Sequence, residues 1–447
     1  MTRFFRLCTR TFAAAARSSW IATGAALAVT TGFWAVGKVR GVEATHLWPL
    51  RGAAQLSGLW AFTLMCMTIV TVGRSRALEP VFGGLDRATR FHRIVGPAAL
   101  LLALTHPLLL AAQARRAGMS AADILVPFSS PGTRSFDIIA TYLIAGLAVF
   151  VFNRRINHER WLMAHRPMAV LFLMAAVNFT ILESGTPAGF EPLRTWMILL
   201  MLGSAVGLLY RLVLFERFGN RYEYRLEATT LRPDHTIDLV MRPASKRMMY
   251  EPGTFVFIRV PRHGRHAKEL HPFSISSTPV DRDLRLSIKM VGDFTRSLTS
   301  LDPGHAIDVY GPFGGFTPHR FAQYRRLVFI GAGIGITPFL SMLAFEQTNR
   351  DFRRIWLYYV VQDAKQAPYD EEIRSSYLKA DSFIDYILWE SATRGRLTAA
   401  RVVEEVQLDN YAVMLCGRPE FVSDLTRQFH EIGVPMERVI TEELLFR

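Results

Sequence analysis

Two histidines, His92 and His106, lie fourteen residues apart within one apolar stretch from Arg90 to Leu110, RFHRIVGPAALLLALTHPLLL. At ~1.5 Å rise and ~3.6 residues per turn, that separation is nearly four helical turns. The two imidazoles therefore share a helix face and stand ~21 Å apart, one near each side of a ~30 Å hydrocarbon core. An ionisable side chain is costly to hold inside a bilayer, so its presence there points to function. Neutral imidazole is a common axial ligand of iron, and two in register fit two stacked metal or haem positions. The competing reading is a pair of hydrogen-bonded histidines at helix ends or bundle interfaces.

The elements that must hold these residues can be traced from composition. The chain has 447 residues, half of them apolar, yet a fifth are charged, a mixture that fits a membrane half joined to a soluble half. Six apolar segments precede residue 216, at about 20–37, 54–73, 94–113, 136–152, 167–183 and 193–215. The connections alternate in basic content. Four Arg precede the first span, five (Arg74, Arg76, Arg87, Arg90, Arg93) join the second to the third, and four (Arg154, Arg155, Arg160, Arg166) join the fourth to the fifth. The other side carries three, three and one, which places both termini in the cytoplasm. The basic start could pass for a signal peptide, but the first span ends in Trp34, Lys38 and Arg40 without a small-residue cleavage site. An uncleaved first helix is expected. The net charge of +14 is explained by arginines beside apolar segments rather than by nucleic-acid binding. Cys8, Cys66 and Cys416 are too scattered for a disulfide or zinc framework.

After Arg217 long apolar runs give way to short alternating ones. Tyr222–Ala228, Ile237–Met241, Phe255–Val260 and Leu284–Lys289 read as strands of a small antiparallel barrel. From Arg326 the pattern becomes strand, Gly-rich turn, helix and further strands at Ile355–Val361 and Ala412–Leu415, an α/β arrangement with a parallel sheet. Leu327–Ile330 runs into Gly331-Ala332-Gly333-Ile334-Gly335-Ile336-Thr337-Pro338. Such glycines let backbone N–H groups approach a pyrophosphate at a helix N-terminus, and Pro338 suits the first helical turn. Met414-Leu415-Cys416-Gly417-Arg418-Pro419 ends another strand at the same expected sheet edge. The run His271-Pro272-Phe273-Ser274-Ile275-Ser276-Ser277 offers hydroxyls, backbone and an apolar wall to a flavin, and Gly292-Asp293-Phe294-Thr295-Arg296-Ser297-Leu298 offers a phosphate a turn and a cation.

These runs, with Tyr310-Gly311-Pro312-Phe313-Gly314, follow the order used by ferredoxin-reductase-like flavoproteins. With membrane histidines upstream, the chain resembles the ferric reductase and NADPH oxidase family, particularly its bacterial single-chain members. The likeness covers nearly all of residues 55–447. The resemblance implies an α-helical six-span haem-binding membrane domain (1–215), an antiparallel β-barrel FAD domain (216–322) and an α/β Rossmann-like NAD(P)H domain (323–447). It places FAD against His271, Pro272, Phe273, Ser274 and Ser277, with pyrophosphate near Gly292, Thr295 and Arg296. It gives the nicotinamide dinucleotide Gly331, Gly333, Gly335, Thr337, Cys416 and Gly417. Phe446 is the implied C-terminal ring over the flavin, to be displaced by nicotinamide; otherwise it closes the last strand. The family's 2′-phosphate arginine has no counterpart at Gln362, and Arg394, Arg396 or Arg418 could replace it, so the expected donor is NADPH, with NADH the alternative.

The family holds two haems with four histidines. By that likeness His92 and His165, in Trp161-Leu162-Met163-Ala164-His165-Arg166, hold an inner haem b. An outer partner for His106 is expected at Val177 or Asn178, and no histidine occurs from there to Glu183. Three readings stay open: a single haem with His106 a remnant, an outer haem on His106 alone with its sixth site open or weakly filled near Asn178, or ligation by another group such as His46. His158 is a competitor for the inner position. The implied activity is a membrane oxidoreductase of the bacterial inner membrane, passing electrons from cytoplasmic NAD(P)H through FAD and haem to extracytoplasmic ferric iron or O2. The alternatives are donation to quinone or a periplasmic partner, or a haem-based redox sensor.

Overall fold

A computed structural model describes residues 19–37, 48–71, 82, 85–129, 134–153, 156, 158–177, 190–215, 220–261, 264, 267, 269–349, 353–378, 383–406 and 410–443. The chain divides near residue 217 into a helical unit and a unit built around two sheets.

The helical unit contains α1 (Ser19–Gly37), α2 (Trp48–Thr71), α3 (Leu85–Arg116), the single turn α4 (Ala122–Leu125), α5 (Arg134–Phe152), α6 (His158–Val177) and α7 (Glu191–Leu209), the last continued by a wider turn at Tyr210–Leu214. Five described segments are long and apolar enough to cross a membrane: Ser19–Gly37, Leu50–Thr71, Arg87–Arg116, Ser135–Phe152 and Glu191–Leu214. Helix α6 occupies the place of the remaining expected span. It begins nine residues before position 167, and its first turns carry Arg160, His165 and Arg166, which dilute its apolar character. Residues 178–183 of that expected span lie outside the described residues.

Threonine and tryptophan stitch these helices together. Thr30 Oγ1 on α1 meets Thr63 Oγ1 on α2 at 3.1 Å and accepts the Trp196 indole N–H of α7 at 2.9 Å. Trp60 donates to Thr31 Oγ1 at 3.0 Å. Between apolar helices such bonds are worth on the order of 1 kcal/mol each, because the separated helices also find partners for these groups. At Gly207 a Cβ would lie 3.2 Å from the Val70 Cα, so α7 approaches the α2 backbone closely there.

The second unit opens with an antiparallel sheet of β1 (Arg221–Arg232), β2 (Thr236–Pro243), β3 (Phe255–Arg259), β4 (His271–Ser274), β5 (Leu284–Lys289) and β6 (Ala306–Phe313), in the order β4-β3-β6-β1-β2-β5. Tyr224, Leu226, Ile237, Leu239, Leu286 and Ile288 turn inward in alternation and form its core, as a half-buried pleated surface requires. An isolated antiparallel bridge between Ile275 and Leu286 joins the two edges of this curled sheet. The short helix α8 (Asp293–Ser297) precedes β6.

The second sheet is parallel throughout, ordered β11-β10-β7-β8-β9, from β7 (Arg326–Ala332), β8 (Arg354–Val361), β9 (Ile384–Glu390), β10 (Ala412–Gly417) and β11 (Val439–Glu443). Its helices are α9 (Thr337–Asn349), α10 (Asp370–Tyr377), the short α11 (Ser391–Arg394), α12 (Ala399–Val406) and α13 (Pro419–Glu431). Val328, Phe329, Ile330 and all of β10 are buried, the near-continuous apolar run of a strand covered on both faces. Strands β9 and β11 add to those expected. The order of connection reverses between β7 and β10, and open α/β sheets bind ligands in the crevice at such a point.

Candidate functional site

The membrane histidines are held by helix α2. His92 Nδ1 lies 3.1 Å from the Thr68 carbonyl and His106 Nδ1 lies 2.6 Å from the Ala54 carbonyl. Fourteen residues forward on α3 thus match fourteen backward on α2, so two antiparallel helices keep one register between the levels. A carbonyl only accepts, so each Nδ1 carries the proton and each Nε2 is left as the basic nitrogen. That is the state in which imidazole binds a metal. Gly58 makes the His106 anchor possible, because a Cβ there would sit 2.7 Å from His106 Nδ1 and 2.8 Å from its Cε1. Pro97 and Pro107 also lie within α3, each removing one backbone donor from it.

His165 on α6 faces His92 with ring centroids 5.7 Å apart and planes at 88°, crossed imidazoles from two different helices. Trp161 stacks on His165 at 4.8 Å and 17°, and its indole N–H donates to the Val151 carbonyl of α5 at 3.1 Å. Trp161 therefore fixes the ring's plane, a role that the sequence left unassigned. His165 Nδ1 is buried without a hydrogen-bond partner among the described residues. A buried, unpartnered imidazole nitrogen beside a second imidazole fits a metal-ligating pair. Val177 ends α6, whereas Asn178 and His46 lie outside the described residues, as does the side chain of His158.

In the antiparallel sheet, His271 stacks on Phe294 at 3.7 Å and 13°, with Phe273 parallel to the same ring at 6.3 Å. His271 Nε2 lies 2.8 Å from Glu269 Oε2. Pro272 is exposed beside them and Ser274 is buried. Ser277 Oγ accepts the Arg285 backbone N–H at 2.9 Å and lies 3.0 Å from the Tyr250 hydroxyl. Tyr250, which no motif singled out, also donates to the Thr278 carbonyl at 2.8 Å. Burial pushes its phenol well above the ordinary value, so it remains a donor. Thr295 Oγ1 accepts the backbone N–H groups of Gly292 (3.0 Å) and Val291 (3.1 Å). Its hydroxyl builds the turn, and Arg296 is the exposed cation at that turn.

At the parallel sheet's switch point, Gly331 of β7 pairs with Cys416 of β10. A Cβ on Gly335 would lie 2.4 Å from the Cys416 carbonyl oxygen, so the turn rests directly on the Cys416–Gly417 peptide. Gly333 has φ +56° with open space where a side chain would stand. Thr337 is buried and donates to the Ile334 carbonyl at 3.0 Å, holding the turn from inside. Cys416 is wholly buried, with Sγ 3.9 Å from Glu442 Oε2 on β11. Burial and that carboxylate hold its thiol well above the ordinary range. Glu442 joins the site only because β10 and β11 pair in register; their separation along the chain carries no signal.

Beyond β8, Gln362 and Asp363 are exposed. The Gln362 carbonyl accepts the Ala392 N–H at 3.0 Å and Ser391 Oγ donates to the Val361 carbonyl at 3.0 Å, which ties α11 to the end of β8. Arg394, which ends α11, and Arg396 are exposed, with the Arg394 guanidinium 5.5 Å over Trp389. Asp363 is turned to the Lys365 N–H at 2.9 Å. Arg418 is exposed after β10. Phe446 lies outside the described residues.

Three family descriptions match along the chain in order: ferric reductase like transmembrane component at residues 57–176, FAD-binding domain at 221–302, and oxidoreductase NAD-binding domain at 329–427. A superoxide-generating NADPH oxidase heavy chain from Dictyostelium discoideum is 29% identical over 260 residues, 47% of this chain and 36% of that protein. NADPH oxidase 1 of Mus musculus is 30% identical over 34% of this chain and 27% of its own length. The chain thus spans about a third of these relatives. A flavohemoglobin structure from Malassezia yamatoensis, with bound FAD and heme, aligns over 90% of this chain and 99% of its own at TM-score 0.51 and 15% identity, a likeness of fold alone.

Proposed function

Because this chain belongs to a ferric reductase/NADPH oxidase-like family, we propose that it carries electrons from NAD(P)H across a membrane to ferric iron or O2. The observation that carries this reading is the facing of His92 and His165 from separate helices, in a chain that also holds FAD-binding and NAD-binding domains. When bound, FAD takes a hydride's electron pair from the nicotinamide and gives electrons singly to haem iron.

The chain's own residues supply alignment. His92 and His165 would hold the inner haem b, with Thr68 and Trp161 orienting them. His271, Pro272, Phe273, Ser274 and Ser277 would line the flavin, with Gly292, Thr295 and Arg296 at its pyrophosphate. The turn from Gly331 to Thr337 and the Cys416–Gly417 edge would take the dinucleotide. Cys416, wholly buried beside Glu442, would support that edge from within. Arg394, Arg396 and Arg418 would favour the 2′-phosphate of NADPH, and Phe446 would cover the flavin until nicotinamide arrives.

In this reading α6 completes six spans, the curled sheet is a barrel, and the domains run 1–215, 216–322 and 323–447. Both termini face the cytoplasm of a bacterial inner membrane. An outer haem on His106 is favoured over a remnant histidine by the Gly58 notch and the Ala54 carbonyl, which hold that ring as Thr68 holds His92. Haem-to-FAD stoichiometry with reduced-minus-oxidised spectra tests both points. His165→Ala should abolish the inner haem signal, and His106→Ala should remove a second one. Haem spectra unchanged by His92→Ala and His165→Ala would sink the main reading.

A further inference from the structure

Outside the cofactor-lining residues, one charged cluster joins the two sheets of the second unit. Asp238 on β2 is buried to 2% exposure and accepts three hydrogen bonds: from Tyr369 OH at 2.6 Å, Ser287 Oγ at 2.7 Å and Arg232 Nε at 2.9 Å. Tyr369 immediately precedes α10 of the parallel sheet. Two residues into that helix, Glu372 takes Arg232 on Oε2 at 3.0 Å and Arg285 on Oε1 at 2.8 Å. Arg232 and Arg285 both belong to the antiparallel sheet, and the Arg232 guanidinium also lies 5.5 Å over the Tyr369 ring. Two cations and two anions balance, at 29% and 20% exposure for the arginines and 16% for Glu372.

The cluster ends on the flavin segment. Arg285 donates through Nε to Ser276 Oγ at 3.2 Å, and its backbone N–H donates to Ser277 Oγ. A second tie comes from Ser341, on the helix that follows the glycine turn, whose hydroxyl donates to the Ser277 carbonyl at 2.5 Å. A buried ion cluster is seldom the cheapest glue, since well-packed apolar side chains hold surfaces as firmly. Charge-assisted bonds of fixed direction add an angle, because they break when one surface slides over the other.

We propose that Glu372 is a positioning residue for flavin reduction. It bridges Arg232 and Arg285 and so docks the nucleotide-binding sheet onto the flavin sheet at the angle that aligns nicotinamide with flavin. This rests on the reading that NAD(P)H reduces FAD in this chain. In that step a C–H bond of the nicotinamide breaks, an N–H bond of the flavin forms, and two electrons pass with the hydride.

Anaerobic stopped-flow reduction of the full-length, FAD-loaded protein by NADPH tests the role. Glu372→Gln should slow flavin reduction at saturating NADPH by about tenfold or more, with FAD content and the half-saturating NADPH concentration within ~twofold of wild type. Glu372→Asp should recover most of the rate. A Gln variant reacting at the wild-type rate would overturn the proposal. So would Gln and Asp variants that lose FAD and thermal stability equally, which marks a role in folding alone. Should Glu372→Gln fail to accumulate, Arg232→Lys decides. It keeps the charge but cannot span Asp238 and Glu372 together, and the same selective loss of rate supports the proposal, whereas a wild-type rate defeats it. Wild-type flavin that neither NADPH nor NADH reduces would instead overturn the electron-entry reading itself, and the proposal with it.

Discussion

His106 rests against a glycine, and the space that glycine leaves decides what the histidine can do. With Nδ1 tied to the Ala54 carbonyl and its ring in the Gly58 notch, only Nε2 is left to bind a metal. Gly58→Val puts a branched side chain where 2.7 Å separates Cβ from the ring. It should remove the outer haem signal while the His92 and His165 signal persists, read as a fall in haem per FAD. An unaltered ratio would mean that His106 holds no haem. Cys416 makes a second prediction at this scale. Its folded pKa is raised, so the folded chain keeps a proton that an unfolded thiol releases near pH ~8.5. Stability from this group is therefore complete below that pH and declines as pH rises above it. The native thiol should resist iodoacetamide at pH 8 to 9 while the parallel sheet stays folded, as mapped by mass spectrometry. Rapid native labelling at Cys416 would contradict its burial beside Glu442.

Elements here place chemistry by register. Helices α2 and α3 repeat one contact at two levels, and β10 brings Cys416 to Gly331 on one side and to Glu442 on the other. The turn between β7 and α9 fits only because Gly335 has no side chain. Gly335→Ala drives a Cβ into backbone at 2.4 Å and should separate the turn from the end of β10. An overpacking cost of about 1–3 kcal/mol is expected, with nucleotide affinity lost and FAD content retained. Calorimetry and NADPH titration of the variant check this, and unchanged nucleotide binding would show that the turn can re-form elsewhere.

At the scale of the whole molecule, electrons offered on one side should emerge on the other. Protein reconstituted in vesicles with an impermeant ferric chelate inside should reduce that chelate when NADPH is added outside. His165→Ala should abolish this while leaving flavin reduction intact. Superoxide detected inside in place of ferrous iron would select O2 as acceptor. Ferric reduction that persists in the His165 variant would remove haem from the path.

The broad architecture was legible in the sequence alone, because apolar periodicity, arginine placement and glycine turns are local consequences of solvent and backbone physics. Those signals located α3 with both histidines, the Gly331–Thr337 turn and the polar edge-strand segment from His271 to Ser277. They misjudged where α6 begins, since the polar turns around His165 break the apolar run that marks a span. Only tertiary structure decided that Trp161 stacks on His165, that Gly58 makes room for His106, that Glu442 meets Cys416, and that Glu372 and Asp238 lock two sheets together. The Trp161–His165 stack lies within α6, four residues apart; each of the other contacts joins different elements. Their chemistry depends on register and helix approach, which no spacing along the chain encodes.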